Sequence, residues 1–346
     1  MTDESEVLFE RRGALGLITL NRPKALNART HSMCLAMRAK LDEWANDQSV
    51  QTVAIRGEGG RAFCAGGDIR ALYESGQAGT PYIMDFYRDE YRLNATIKHF
   101  PKPYIAFLHG IVMGGGVGVS VHGSHRIADE TVVFAMPETG IGLFPDVGGS
   151  YFLPRCFGET GMYLALTGAR LKTADCIDAG VATHFVPADA RERVIERLAN
   201  GTPPEKALEP SDHNVSGVAS LAERRARIDG CFDKSSVAAI VDALGKDASS
   251  WAREALGIVR AKSPTATKLA FRQIRKGKTL SFDDCMRMEF RMVNRVIAGH
   301  EFYEGVRATI IDKDQSPKWQ PARLEDVSDA DIDRYFAPLG ERELKL

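Results

Sequence analysis

The sequence lacks several features that would each indicate a particular class of protein. Its six cysteines include no CxxC pair, which favours reduced thiols over a disulfide framework. Lysine and arginine total 45 against 46 acids, so no overall charge attracts nucleic acid or an anionic membrane. The longest apolar stretch is broken by glycines and by His109, which makes it a poor membrane span. The opening residues, MTDESEVLFE, lack the basic region and the apolar region that a signal peptide has.

These absences predict a soluble, cytoplasmic protein with neither a nucleic-acid partner nor a membrane partner. With 346 residues, of which 44% are hydrophobic and 26% charged, the chain has room for one large core or for two domains. No metal site is expected, because His122 and His125 have no third ligand near them in the sequence.

Strand-like and helix-like segments alternate over the first 190 residues. The β-rich runs 15–20 and 52–56 flank a helical pattern that has Thr30 as its expected N-cap. A second helical pattern, over 82–98, precedes the β-rich runs YIAFLHG and TVVFAMP. This alternation predicts an α/β core in residues 1–190. Helical periodicity then predicts a helical C-terminal region over 191–346, either a separate domain or a lid on the first.

Two glycine-rich stretches each follow a predicted strand. They are GEGGRAFCAGGDI (57–69) and HGIVMGGGVGVS (109–120). Glycines at such junctions can expose unpaired amides, and two amides from separate loops would make an oxyanion hole for a carbonyl oxygen. Neither stretch is a dinucleotide-binding GxGxxG motif or a phosphate-binding loop. Glycines that only permit tight packing of a strand against a helix are the alternative interpretation.

Two acids stand in a stretch whose other residues are typical of a protein interior. In FAMPETGIGLFPDVGGSYFLP (134–154), Glu138 and Asp146 are the only charged residues. An isolated buried carboxylate costs several kcal/mol unless it is paired, hydrogen-bonded or neutralised. Such a pair is typical of acid–base or nucleophilic chemistry. The alternatives are a turn acid that binds local amides, for Glu138, and a helix N-cap, for Asp146.

A third acid, Glu90, interrupts the apolar face of the helix predicted over 82–98. Pairing with Arg88 or Arg92 on a neighbouring face is the alternative to a role in a site. The other residues of this face are Ile83, Phe86, Tyr87, Asn94 and Ile97.

Together these pieces resemble the crotonase (enoyl-CoA hydratase/isomerase) superfamily. The matching stretches, in the order of the family, are LNRPKALNA (20–28), FCAGGDI (63–69), PKPYIAFLHGIVMGGGVG (101–118) and FAMPETGIGLFPDVGGS (134–150). The resemblance implies an α/β fold, a crotonase-like spiral of ββα units with a helical C-terminal region. It implies an acyl-CoA substrate and no separate cofactor, since coenzyme A is part of the substrate. It also allows a homo-oligomer.

The resemblance further implies the roles of individual residues. The oxyanion hole would be the backbone amides of Gly67 and Gly115. Contacts with the acyl part would come from Glu90, Gly115, Glu138 and Asp146. Lys24 would contact a phosphate, or would be a solvated turn lysine. The residues along the coenzyme would be Lys24, Ala25, Leu26, Ala65, Gly67, Asp68 and Ile69.

Departures from the family pattern narrow the expected reaction. Hydratases usually carry a glutamate at the position of Gly118, which cannot transfer a proton, whereas the second glutamate of that pair is kept as Glu138. Asp146 stands where hydratases tend to have glycine. This pattern resembles the branch that hydrolyses 3-hydroxyisobutyryl-CoA in valine breakdown. Thioester hydrolysis needs a polarised carbonyl and a carboxylate that attacks it or deprotonates water.

We therefore expect Glu138 to be the nucleophile or the general base, and Asp146 to orient the hydroxyl group of the substrate. Two alternatives stay open on the sequence alone. One is an enoyl-CoA hydratase or isomerase that uses Glu138 and Asp146 differently. The other is a non-catalytic protein that binds acyl-CoA.

Overall fold

The computed structural model describes residues 5–208 and 219–346. Strands and helices alternate along the first part of the chain, and helices follow. The strands are β1 Val7–Arg12, β2 Leu15–Leu20, β3 Thr52–Gly57, β4 Ala62–Cys64, β5 Tyr104–Leu108, β6 Ile111–Met113, β7 His125–Ala128, β8 Val133–Ala135 and β9 His184–Phe185.

The helices fall into two groups, before and after residue 190. The first group is α1 His31–Asn46, α2 Ile69–Gln77, α3 Tyr82–Lys98, α4 Gly115–Gly118, α5 Gly149–Phe152, α6 Thr160–Thr167 and α7 Thr173–Asp178. The second group is α8 Arg191–Ala199, α9 Pro204–Ala207, α10 Ser220–Phe232, α11 Val237–Lys246, α12 Ser250–Ala261, α13 Pro264–Gly277, α14 Phe282–Val296, α15 Glu301–Val306 and α16 Asp329–Phe336.

Two sheets are built by a repeating strand–strand unit. The large sheet has the order β1-β2-β3-β5-β7-β9, and the small sheet has the order β4-β6-β8. Only β1 and β2 pair antiparallel in the large sheet; its other neighbours, and those of the small sheet, are parallel. Each of the pairs β3–β4, β5–β6 and β7–β8 therefore gives one strand to each sheet. This is the predicted spiral of ββα units, and the predicted α/β fold is confirmed.

The chain divides into two compact units that are interleaved in sequence. The first unit comprises 5–68, 92–135, 170–208 and 219–222, and it contains both sheets. The second comprises 69–91, 136–169 and 223–346, and its regular structure is helical. The predicted domain boundary at residue 190 stays a prediction. In 191–208 and 219–346 the regular elements are helices, as the periodicity indicates.

Capping explains where several helices begin. The Thr30 side chain accepts a hydrogen bond from the amide of Met33, as its predicted role as N-cap of α1 requires. Each of five later helices begins after a serine whose side chain accepts an amide hydrogen bond; these serines are Ser236, Ser249, Ser263, Ser281 and Ser328. Across the described ranges, no helix combines the length and apolar character that crossing a membrane requires.

Candidate active site

The two glycine-rich stretches meet within the sheet-bearing unit. Strands β4 and β6 are parallel neighbours in the small sheet, so the loops that follow them begin at the same edge. A Cβ atom added to Gly66 would lie 3.7 Å from the amide nitrogen of Gly115, which is van der Waals contact. The structure therefore brings the loop of Gly67 and the loop of Gly115 together.

Glycine is required at two positions in these loops. Gly66 has a φ of +125°, a backbone conformation that residues with side chains rarely adopt. A Cβ atom on Gly116 would lie 2.3 Å from the carbonyl oxygen of Cys64, so only glycine lets the two backbones approach this closely. Among the described residues, the amides of Gly67 and Gly115 donate no backbone hydrogen bond. Both amides can therefore donate a hydrogen bond to a ligand.

The residues predicted to contact coenzyme A lie beside the first of these loops. The amide of Ala65 donates to the carbonyl oxygen of Leu26 at 3.0 Å, and Gly67 forms a parallel bridge with Arg29. Asp68 forms an ion pair of 3.1 Å with Arg22. The segment around residue 26 and the segment around residue 67 therefore form one continuous backbone surface.

The remaining predicted coenzyme contacts are at the ends of short helices. Lys24 and Ala25 lie in the exposed 3-10 turn Pro23–Ala25, and Ile69 begins α2. Exposure of Lys24 agrees equally with a phosphate contact and with a solvated lysine, so its role stays a prediction.

Four buried carboxyl groups of the helical unit interact with one another through their charges. Glu90, Glu138 and Asp146, which the sequence analysis singled out, are 2%, 5% and 4% exposed, and Glu289 is fully buried. Glu138 opens the 3-10 turn Glu138–Ile141, Asp146 precedes α5, and the other two lie on α3 and α14. Since like charges close together in a dry interior cannot all ionise, these groups control one another's protonation.

Glu138 is poised to change its charge near neutral pH. Burial raises the pKa of this carboxyl from 4.5 to about 8, and the charges of Glu289 and Glu90 add to the rise. The charge of Lys262 lowers the pKa of Glu138 and so opposes this rise. The ammonium nitrogen of Lys262 borders the same turn, since it would lie 3.0 Å from a Cβ atom placed on Gly140. Within the described residues, Oε2 of Glu138 has no hydrogen-bond partner. A buried carboxyl oxygen without a partner can accept a ligand or a water molecule.

Asp146 has a different environment from Glu138. Burial, followed by the charges of Glu90, Glu138 and Glu289, raises the pKa of Asp146 well above its ordinary value of 3.8. The hydroxyl of Tyr91 donates to its Oδ2 at 3.1 Å and orients the carboxyl group. Asp146 does not cap α5 with its side chain, so the alternative role as N-cap does not apply. Its environment favours the protonated form, which can donate a hydrogen bond.

Glu289 is the residue of this cluster that the sequence analysis missed. It accepts hydrogen bonds from the amides of Gly148 and Ser150, at 2.8 and 2.9 Å, and from the Ser150 hydroxyl. Burial raises the pKa of Glu289 to about 7, against the lowering effect of those hydrogen bonds. The signal that could have identified it is the one used for Glu90: an acid on an otherwise apolar face of a helix, here α14.

Three histidines of the sheet-bearing unit have local partners. His125 begins β7 and stacks on His184 at 5.7 Å, and Nε2 of His109 bonds to the carbonyl oxygen of Gly59. In the part of the chain that the structure describes, no three His, Cys, Asp or Glu side chains could hold a metal ion.

Comparison with known proteins identifies the family. A family model described as enoyl-CoA hydratase/isomerase matches residues 15–336. The chain therefore belongs to this family, the crotonase superfamily. It is 46% identical to the 3-hydroxyisobutyryl-CoA hydrolase of Rattus norvegicus over 99% of this chain and 92% of the rat protein. The corresponding Danio rerio protein is 49% identical with the same coverage. The predicted resemblance to this branch is confirmed.

Solved structures agree with the fold. A protein titled carnitinyl-CoA dehydratase from Mycobacterium thermoresistibile superposes with a TM-score of 0.92 at 41% identity, covering 99% of both chains. A protein titled enoyl-CoA hydratase from Rhodobacter sphaeroides gives a TM-score of 0.93 at 40% identity, covering 99% of this chain and 100% of that one.

The comparison corrects the predicted location. Both curated relatives above are named as mitochondrial proteins, so the prediction of a cytoplasmic protein is wrong. The physical reason is that scattered cysteines argue only against an oxidising compartment. They do not distinguish one reducing compartment from another.

Proposed function

We propose that this chain hydrolyses the thioester of 3-hydroxyisobutyryl-CoA, or of a similar short 3-hydroxyacyl-CoA, to the free acid and coenzyme A. The reaction belongs to valine breakdown and uses no separate cofactor. The observation that carries the proposal is the identity of 46% and 49% with two 3-hydroxyisobutyryl-CoA hydrolases over 99% of the chain. The buried carboxyl cluster supplies groups that this chemistry needs.

Glu138 acts on the thioester carbon in one of two ways. As a nucleophile, its carboxylate oxygen bonds to the carbonyl carbon, the C–S bond breaks, and water then hydrolyses the resulting anhydride. As a general base, it takes a proton from a water molecule whose oxygen attacks that carbon. Either role requires the ionised form, which Lys262 favours at Glu138. The thiolate of coenzyme A leaves with little help, since a thiol has a pKa of about 8.5.

Asp146 and Glu90 orient the acyl chain. A protonated Asp146 donates a hydrogen bond to the 3-hydroxyl group, or accepts one from it when ionised. Because a polar pocket built for a hydroxyl group is left unsatisfied by an analogue that lacks it, this arrangement selects hydroxylated chains. The charge of Glu90 raises the pKa of Asp146 and is the largest effect on that pKa after burial.

The backbone amides of Gly67 and Gly115 hold the carbonyl oxygen as it becomes negative. Preorganised donors of this kind lower the barrier because they need no rearrangement at the moment of reaction. The segments Lys24–Leu26 and Ala65–Ile69 hold the coenzyme. Two loops that are in contact and fixed by glycine backbone support this assignment.

Hydration of an enoyl-CoA is the second candidate, and the names of the two solved relatives favour it. Against it, position 118 is a glycine inside α4, so the proton-transferring glutamate of that position is missing. Asp146 would have to replace it.

An assay with three substrates and readouts tests the proposal. Thiol release from 3-hydroxyisobutyryl-CoA, followed with a thiol-reactive dye, is expected with the wild-type protein. Water addition to crotonyl-CoA with the thioester intact would instead establish a hydratase. Saturable binding of acyl-CoA without turnover of either substrate would establish a binding protein.

A further inference from the structure

Glu289 holds the turn that carries Asp146 from a helix far along the chain. Three donors of the 148–150 segment converge on its carboxyl group: two backbone amides and the Ser150 hydroxyl. Gly148 and Ser150 are 141 and 139 residues away from it in the sequence. Because Glu289 is fully buried, removing its carboxyl group would leave these three donors without an acceptor and out of reach of bulk water.

The turn itself has a backbone that needs outside support. Val147 and Gly148 both have positive φ angles, +51° and +85°. For a β-branched residue this conformation is unfavourable, and it persists only where surrounding contacts hold it. Glu289 holds the turn on one side, and Gln273 of α13 holds it on the other, where its side-chain amide donates to the carbonyl oxygen of Pro145. Asp146 lies between the two supported positions.

Glu289 also acts on the catalytic carboxyls by its charge. The titratable groups of and around this cluster include Tyr87, Glu90 and Tyr91 from α3, Glu138 and Asp146 from the 136–149 segment, Lys262 after the end of α12, and Cys285 on α14 itself. Glu289 raises the pKa of Glu138 and of Asp146. Its ionisation therefore opposes theirs.

We propose that Glu289 is a positioning residue: its three hydrogen bonds fix the turn that presents Asp146 to the substrate. This inference rests on the proposed function. Glu289 itself need not contact the substrate, because both of its carboxyl oxygens accept hydrogen bonds from the turn.

Two variants of Glu289 separate the effect of side-chain length from the effect of charge. Glu289→Gln keeps the length of the side chain, removes the charge and faces an NH₂ group toward the donors of the turn. We expect kcat to fall at least about tenfold, since small displacements of a reacting group reduce rates strongly. The acid limb of the pH profile of kcat/KM should also move to lower pH, because a charge that opposes ionisation of Glu138 is gone. Glu289→Asp keeps the charge but shortens the side chain, so the carboxyl group no longer reaches the donors of the turn. Its kcat should fall while the acid limb keeps its wild-type position.

Gln273→Leu is the matched control, because it releases the same turn at Pro145 and changes no charge. Its kcat should fall with the acid limb in the wild-type position. A Glu289→Gln enzyme with an unchanged kcat would overturn the inference. A fall in kcat with an unmoved acid limb would support the positioning role and contradict an effect of the Glu289 charge on Glu138.

A measurement without turnover separates this inference from the proposed function. In hydrogen exchange, the amides of Gly148 and Ser150 should exchange slowly in the wild-type protein and at least about tenfold faster in Glu289→Asp. Equal exchange would overturn the positioning role, even if Glu289→Gln fails to fold. A wild-type protein that releases no thiol, but shows this difference in exchange, would refute the proposed hydrolase and leave the positioning role intact.

Discussion

The glycine loops and the carboxyl cluster are built in opposite ways. In the sheet-bearing unit, Gly67 and Gly115 are placed by parallel strands and by the absence of side chains, since a Cβ atom added at Gly116 would overlap the Cys64 carbonyl oxygen. In the helical unit, the turn that carries Asp146 is held by side chains from distant helices, Glu289 and Gln273. The first construction depends on backbone shape and tolerates no added atom. The second depends on charge and hydrogen bonding and should respond to pH.

The largest expected effect is on the second construction. Glu138→Gln should lower thiol release from 3-hydroxyisobutyryl-CoA by about 10³-fold, in the range typical of a lost proton-transfer group. Coenzyme A affinity should stay nearly unchanged, which isothermal titration can measure. Glu159→Gln is a control, because Glu159 pairs with Arg275 outside the cluster. Unimpaired turnover by Glu138→Gln would remove Glu138 from its role.

The glycine loops can be broken by a single methyl group. Gly116→Ala would place a Cβ atom 2.3 Å from the Cys64 carbonyl oxygen, so the backbone must shift and carry the Gly115 amide with it. We expect kcat to fall by about 10²-fold, as when one oxyanion donor is lost. Gly60→Ala is the matched control in the other glycine-rich stretch, since nothing lies within 4 Å of its added Cβ. Equal activities of the two variants would contradict the role of the loop.

Asp146→Asn sharpens the comparison through substrate choice. Loss of the carboxyl group should reduce kcat/KM on 3-hydroxyisobutyryl-CoA by about 10²-fold and on isobutyryl-CoA by much less, because only the first has a hydroxyl group to orient. Parallel assays on both thioesters measure the ratio. Equal losses would mean that Asp146 does not recognise the hydroxyl group.

The carboxyl cluster should also make stability depend on pH. Between pH 4.5 and about 8, the folded protein keeps a proton on Glu138 that the unfolded chain loses. The resulting contribution to stability, roughly a few kcal/mol, is fully present below pH 4.5 and is lost progressively as the pH rises from 4.5 to about 8. Urea unfolding of wild type and Glu138→Gln should therefore show the variant gaining in relative stability from pH 5 to pH 8. A difference that is constant with pH would contradict the raised pKa.

Two tyrosines of α3 provide the smallest test. Tyr87 and Tyr91 are both buried, but only Tyr91 has a partner for its hydroxyl, Asp146, among the described residues. Tyr87→Phe should therefore leave the free energy of unfolding equal or raise it by about 1 kcal/mol, while Tyr91→Phe should lower it by about the same amount. Denaturant unfolding of both variants measures this. Equal destabilisation would mean that the Tyr87 hydroxyl has a partner as well.

The contrast between the two regions also explains what the sequence could predict. The glycine loops and the stretch around Glu138 and Asp146 are local motifs, so they could be identified together with the strands that precede them. Glu289, Gln273 and Lys262 could not be identified in this way. They come from amphipathic helices whose periodicity indicates burial, but not which segment more than a hundred residues away each one contacts.

A structure with a non-hydrolysable 3-hydroxyacyl-CoA analogue bound would test most directly whether both constructions act on one substrate. We expect the carbonyl oxygen to accept hydrogen bonds of about 2.7–3.1 Å from the amides of Gly67 and Gly115. The carboxyl of Glu138 should face the carbonyl carbon, and Asp146 should bond to the 3-hydroxyl group. A carbonyl oxygen bound elsewhere, or an acyl chain that reaches neither carboxyl group, would contradict the proposed hydrolase.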